Sequence, residues 1–410
     1  MSKKFQVCSL TVAAMLCAAF IQIHTANAQD TDPVVLTFST VGDSRQDPVA
    51  PDSTTLPVSA QDQHWLQNTK AWSRIMRTIQ EQKPQMLFFN GDMIMGYGKV
   101  AVPSGWSSTA PNVTQVANTD IVKFYTQYAF WRGMVSTMME TGTYVVPVPG
   151  NHEVQCNAPN ETDLYNQPTC PSGKNAQVEN ESAWAANMGD LILDTARLTN
   201  MFGVQAPTNA SFSSGTDDGL KTDQSKLSYS FDFKGAHFAI VNTDPVGRDA
   251  TAPTTWLAKD LAAAKARGNT HFFVFGHKPA YTYAYLADAS TPAAGLDAAP
   301  GTIALRDAFW DVIEQYGATY FCGHEHILNI MQPRQGSTTK PGTAYQVLVG
   351  SGGSPFDAKS TVTTKNPATD RSYAWATVNV HKSGKVDINA YAFDNGFGPT
   401  QLIQSVNLAH

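Results

Sequence analysis

Asp43, Asp92, Asn151, His277, His324 and His326 are the residues of this 410-residue chain whose types and positions could do concerted chemistry. Each stands on or just after a glycine: Gly42-Asp43, Gly91-Asp92, Gly150-Asn151-His152-Glu153, Gly276-His277 and Gly323-His324-Glu325-His326. Aspartate, asparagine and imidazole suit zinc, manganese or iron, whereas calcium prefers an oxygen-only shell. Taken singly, each pair is ordinary turn chemistry. Two imidazoles at i, i+2 can point to one side of an extended segment, so Gly-His-x-His is more specific. The five together, each after a β-prone run, predict a metal site.

Those runs are the elements that must position the ligands. They are Val34 to Val41, Met86 to Phe89, Thr143 to Val148, His271 to Phe275 and Ala318 to Cys322. A glycine at each end permits a sharp turn or a positive φ and lets backbone approach a crowded centre. Ligands of open α/β sheets bind beyond the carboxyl ends of the strands, so positions 43 to 326 can converge on one pocket. Helical spacing of Trp65, Trp72, Ile75, Met76 and Ile79 predicts a helix from His64 to Gln82, stopped by Pro84. Further helices are expected over 120–140, 183–201, 254–267 and 302–316, the last with Ile303, Phe309, Trp310 and Ile313 inward. The segments 226–233 and 236–242 read as strands joined by a turn at Lys234-Gly235. The tail segments 344–349, 373–380 and 386–393 read as antiparallel strands, with Gly350-Ser351-Gly352-Gly353 between the first two. The β-α-β order implies a parallel sheet with helices on its faces. Val154 to Ser182 is polar and is expected to be a surface excursion.

Residues 1–28 have the form of a signal peptide: Lys3 and Lys4, an apolar run from Val7 to Ile23, then Ala26-Asn27-Ala28. The apolar run is short and interrupted for a membrane span, so export to the periplasm or medium is expected, without stable membrane insertion. The remainder, 29–410, shows no repeat or linker and is expected to form a single domain. The whole chain carries a formal net charge of −6 and no basic cluster, which argues against nucleic acid as a partner. In an oxidising compartment Cys156 and Cys170 are expected to pair, closing a loop worth about 3 kcal/mol in the chain-entropy model. Cys322 lies in an apolar run and is expected to be a buried thiol.

The ordered set Gly-Asp, Gly-Asp, Gly-Asn-His-Glu, Gly-His, Gly-His-x-His resembles the calcineurin-like metallophosphoesterases, which include purple acid phosphatases and cyclic-nucleotide phosphodiesterases. The resemblance runs from Asp43 to His326. It implies an α/β fold, a four-layer α/β/β/α sandwich, and a centre of two metal ions. Asp43, Asp92 and His326 would hold the first ion; Asp92 would bridge to the second, held by Asn151, His277 and His324. His152 would serve as general acid or stabilise the transferring phosphoryl group. Two ions can stabilise attacking and leaving oxygens together and generate hydroxide near neutral pH. The implied activity is hydrolysis of small-molecule phosphomonoesters, with a phosphodiesterase or nucleotidase, or a degenerate metal-binding interaction protein, as alternatives.

The chain departs from that pattern at two places. Many members have histidine two residues after the first aspartate; here it is Arg45, which cannot ligate. Two readings stand: a phosphate clamp, or a cation pairing with Asp43 or another carboxylate of the cluster. Where relatives place a ligating tyrosine or an aspartate orienting the histidine, this chain has Met95, leaving His152 without an evident partner. Tyr97 is either a substitute ligand or a packed loop residue. Trp106, Tyr281, Tyr283 and Tyr285 follow site-bearing strands and would either stack on a substrate or pack their loops.

Overall fold

The computed structural model describes residues 32–45, 69–98, 119–156, 174–283, 295–296, 301–354, 356 and 367–408. Strands β1 (Val34–Val41), β2 (Met86–Phe89) and β3 (Tyr144–Pro147) run parallel and are linked through helices α1 (Thr69–Gln82) and α2 (Asp120–Glu140). A one-turn helix α3 (Asn151–Val154) opens directly after β3, and the short pair β4 (Gln155–Cys156) and β5 (Asn175–Ala176) follows. Helices α4 (Val178–Met188) and α5 (Thr195–Phe202) lead to β6 (Thr208–Phe212), β7 (Tyr229–Phe233) and β8 (Ala236–Ile240). Next come α6 (Thr254–Ala266), β9 (His271–Phe275), α7 (Ile303–Tyr316), β10 (Thr319–Cys322), β11 (Leu328–Met331) and β12 (Gln346–Val349). A short turn of helix (Pro367–Asp370) precedes β13 (Ser372–His381), β14 (Val386–Asp394) and β15 (Gln401–Leu408).

The long strands form two mixed sheets, as the four-layer sandwich implied by the resemblance requires; the β-α-β order by itself suggests only a parallel sheet. One has the order β15-β14-β13-β1-β2-β3, the other β11-β12-β10-β9-β8-β7-β6. In the first, β1, β2 and β3 are parallel at one end and β13, β14 and β15 continue antiparallel from β1. In the second, the inner strands β12, β10, β9 and β8 are parallel and β11, β7 and β6 are antiparallel outside them. Strand periodicity explains the layers. Met86 and Phe88 of β2 face the other sheet, as do Phe273 and Phe275 of β9, in one shared core. Leu87 and Phe89 turn outward under α1 and α2, while Phe272 and Val274 turn outward under α6 and α7. Each sheet is thus apolar on both faces, which is the four-layer α/β/β/α arrangement. Phenylalanines knit the central seam: Phe88 stacks on Phe275 at 3.9 Å, and Phe38 meets Phe273 edge-on at 4.9 Å.

Several local expectations are corrected. The polar stretch 154–182 is not all surface: Val154, Gln155 and Cys156 are buried, and α4 begins at Val178. The helix expected over 183–201 is two helices, because the chain turns after Gly189 and Asp194 caps a new start by accepting from the Arg197 backbone N–H. β12 pairs with β10 and β11 rather than with the tail strands. Ile303, expected inward, is 42% exposed at the first position of its helix. Strands β6, β11 and β15 carry too little periodic signal to be read from sequence. The helix start before Thr69, Cys170, Trp106, Tyr285 and residues 1–28 lie outside the described residues. Cys156 is disulfide-bonded and Cys322 is a buried free thiol. Among the described residues no helix is long and apolar enough to cross a membrane.

Candidate metal centre

Five strand ends meet at the seam between the sheets. Asp43, Asp92 and Asn151 leave β1, β2 and β3 of one sheet; His277, His324 and His326 leave β9 and β10 of the other. The positive φ expected of the glycines falls mainly on the ligand candidates themselves: Asp43 (63°), Asp92 (55°) and His324 (74°). Such left-handed conformations are costly for non-glycine residues and persist when the surroundings over-determine them. The surroundings here are backbone bonds. Asp43 N–H donates to Gly91 O at 3.0 Å, and His324 N–H donates to Asp43 Oδ2 at 2.9 Å. Gly150 has a negative φ and serves by its size: a Cβ there would collide with the Asp92 backbone nitrogen and carboxylate.

Two ligand groupings result. In the first, Asp43, Asp92 and His326 bring one donor atom each within 4.8 Å of one another; in the second, Asp92, His277 and His324 do so. His277 Nε2 is the hub of the second, 2.8 Å from Asn151 Oδ1, 3.1 Å from His324 Nδ1 and 3.2 Å from Asp92 Oδ1. Donors with bonds of about 2.1 Å to one ion lie about 3.0 Å apart at right angles and about 3.4 Å apart in a tetrahedron, so this spacing fits a metal. His277 Nδ1–H donates to Asn90 O at 2.7 Å, which turns Nε2 to the centre. The Asn151 amide is turned likewise, its Nδ2 donating to Tyr97 Oη. Of the two readings of Tyr97, the packed one holds: it orients Asn151, and its ring lies 3.7 Å from that of His152.

The first grouping differs, because Arg45 reaches into it. Arg45 Nη1 lies 3.1 Å from Asp92 Oδ2, 2.7 Å from His326 Nε2 and 4.0 Å from Asp43 Oδ1. Asp43 Oδ1 is buried without a hydrogen-bond partner. A three-donor pocket with an orphaned carboxylate oxygen is cation chemistry, yet the cation present is the chain's own guanidinium.

Electrostatics follow from this crowding. Burial, with Asp92 beside it, holds Asp43 well above the usual carboxylate range. Burial also works against ionisation of Asp92, but His152, His277 and Arg45 outweigh it and hold Asp92 well below that range. For His277 burial is overcome by Asp92 and Asp43, raising it to about 9. His324 is held well below the ordinary value by burial and by His277. His152 is also low, through burial and the Arg45 charge. His277 thus carries a proton that a metal ion would displace.

The missing partner of His152 is a backbone atom. His152 Nδ1–H donates to Met95 O at 2.5 Å, leaving Nε2 3.6 Å from Asp92 Oδ2. Met95 contributes its carbonyl and not its side chain, which no side-chain motif can reveal. Glu153, assigned no role from sequence, is the brace of the site. Its carboxylate accepts from the backbone N–H of Asp92, Met93, Ile94 and Gly150 at 2.8–3.2 Å, tying the β2 end to the β3 end. Gly350–Gly353 has a similar part: Gly352 N–H donates to Gly42 O, and Ser354 N–H to Asp43 O, both at 2.9 Å. The glycine cluster signalled close backbone approach; its neighbour was not visible in sequence. Tyr281 packs edge-on against Trp310 and accepts from Arg334, and Tyr283 packs against the α6–α7 layer, both half-buried.

The sequence profile of the calcineurin-like phosphoesterases matches residues 62–328, a span holding Asp92, Asn151, His152, His277, His324 and His326. Among solved structures, purple acid phosphatase PPD1 from yellow lupin (Lupinus luteus) seeds superposes with a TM-score of 0.51 at 13% identity. That match covers 91% of this chain and 53% of the lupin chain, so this chain spans about half the lupin protein's length. A PhoD structure matches at 0.48 and 11% identity, covering 90% of this chain and 72% of that one. A dimetal phosphatase from Danio rerio matches at 0.47 and 12% identity, covering 92% and 99%. No curated protein sequence matches the chain. With the profile spanning well over half its length, and with this fold and site, the chain belongs to the calcineurin-like phosphoesterase family, whose members are phosphoric ester hydrolases.

Proposed function

We propose that the protein is an exported, metal-dependent phosphatase that hydrolyses phosphomonoesters of small molecules. The observation that carries this is the convergence of Asp92, Asn151, His277 and His324 at ligand spacing, with His152 and Arg45 beside them. Zinc, manganese or iron held there would supply Lewis acidity to a phosphoryl group. Arg45 offers a planar fork to the phosphoryl oxygens and keeps its charge at any working pH. His152, aimed by Met95 O and flanked by Tyr97, is the proton donor. As the ester P–O bond breaks, the leaving oxygen takes the proton from His152 Nε2, while a water oxygen forms the new P–O bond. That oxygen keeps one proton as the phosphate hydroxyl and yields the other, which returns His152 to its protonated form. Burial disfavours the protonated imidazole in the free site; a phosphoryl dianion beside it favours that form.

The mature chain is proposed to be 29–410, a single domain, exported after removal of 1–28, with Cys156 and Cys170 paired. The apolar leader and the disulfide at Cys156 support this reading. The test uses mature protein, before and after chelation, on nitrophenyl phosphate, bis-nitrophenyl phosphate and a panel of natural monoesters. Turnover of monoesters that chelation abolishes and metal restores is expected. Preference for the bis-ester would make the enzyme a phosphodiesterase. Metal binding without turnover of any ester would leave a metal-binding interaction protein.

A further inference from the structure

The pocket of Asp43, Asp92 and His326 and the pocket of Asp92, Asn151, His277 and His324 share a carboxylate but not a chemistry. An ion bound to the first three side chains would lie about 2.0–2.2 Å from each donor. That volume is taken by Arg45 Nη1, set among the same three atoms at 2.7, 3.1 and 4.0 Å. An N–H donated to His326 Nε2 uses the lone pair that a metal would need, so guanidinium and ion exclude each other there. Arg45 is also fixed from behind. Its backbone N–H donates to Asp92 O at 3.0 Å, and its side chain is only 13% exposed.

Charge points the same way. Asp43 and Asp92 carry at most two negative charges between them. Arg45 and one divalent ion already answer them with three positive charges, whereas a second divalent ion would raise that to five in a buried site. Repulsion between an ion and a guanidinium in one pocket is not screened by solvent there.

We infer that this chain holds one divalent metal ion, in the pocket of Asp92, Asn151, His277 and His324, and uses the Arg45 guanidinium in place of a second. The inference rests on the metal-dependent reading above and changes its stoichiometry. A phosphoryl group would then bridge a removable cation and a permanent one. Metal binding should follow a single-site isotherm, and chelation should leave one of the three phosphate-binding positive charges, that of Arg45, in place.

The deciding measurement is metal per chain, by elemental mass spectrometry after dialysis of the stripped mature protein against Mn²⁺ or Zn²⁺. One equivalent is expected, with an uncoupled Mn²⁺ resonance signal. His324→Ala should lose that equivalent, and His326→Ala should keep it. Arg45→His should take up a second equivalent and show a spin-coupled Mn²⁺ pair, whereas Arg45→Met, which offers no ligand nitrogen, should stay at one. Two equivalents or a coupled pair in the unmodified protein would overturn the inference while leaving the phosphatase reading intact. So would an equivalent lost in His326→Ala and retained in His324→Ala. No bound metal at all would overturn both.

Discussion

Arg45 and His152 both approach Asp92 Oδ2, at 3.1 and 3.6 Å, and divide the work of a phosphoryl site between charge and proton. His152→Ala should therefore slow esters with poor leaving groups by ~10²–10⁴ while sparing nitrophenyl esters, whose leaving oxygen needs no proton. Comparing kcat across a leaving-group series checks this, and an equal loss throughout would remove His152 from the donor's role. Tyr97 acts through Asn151. Tyr97→Phe keeps the ring against His152 but frees the Asn151 amide, so metal affinity should fall by about 10–100-fold without a change in melting temperature. A titration showing unchanged affinity would make Tyr97 a packing residue only. At this scale the ligand types were legible in sequence, because each stands after a strand-ending glycine. The groups aiming them were not: Met95 O and Asn90 O are backbone atoms, and any residue type supplies those.

The element that carries the most unforeseen chemistry is the β7–β8 hairpin. Its turn was readable, since Lys234 and Gly235 take the paired positive φ of a two-residue hairpin loop (50° and 81°). Its anchoring was not. Asp232 on β7 accepts from Arg267 Nε at 2.7 Å, just past the end of α6, and lies 2.7 Å from His237 Nδ1 on β8. His237 Nε2 in turn lies 2.8 Å from Asp260 of α6. These bonds fasten a helix of the outer layer to its sheet. Burial pushes Asp232 up, but the Arg267 and His237 bonds outweigh it and leave it at about 2. A carboxyl lowered on folding adds stability that is present above its unfolded value, about 4, and fades as pH falls towards 2. Thermal melts from pH 7 to pH 2.5 should show this decline, and Asp232→Asn should melt lower at pH 7 with a flatter acid limb. An acid limb as steep as that of the parent would place the acid sensitivity elsewhere.

At the scale of the whole molecule, the packing of two sheets is what makes a site at all. Neither sheet holds a complete pocket: the carboxylates and Asn151 come from one, the three histidines from the other. Phe88 stands in the seam, stacked on Phe275 and fully buried. Phe88→Ala should cost about 3–5 kcal/mol in urea unfolding and weaken metal binding with it, since the sheets carry the ligand sets. A loss below about 1 kcal/mol would mean that the seam does not depend on this stack. The second sheet came into the sequence reading only through the family resemblance, because alternating aromatic strands look alike whether they join one sheet or two. The β-α-β order fixes neighbours along the chain and says nothing about which face meets which.

What the sequence determined by itself was the inventory and its order: five strand ends, the six ligand candidates, His152 and the departure at Arg45. Local chemistry suffices for that, because a glycine, a turn and a side chain are written within a few residues. What only the tertiary structure decided was which donor atoms meet, what aims them, and that Arg45 turns inward to fill one of two adjacent pockets. Those are distances between residues as far apart as 45 and 326, set by sheet packing and buried charge, and no run of neighbouring residues encodes them.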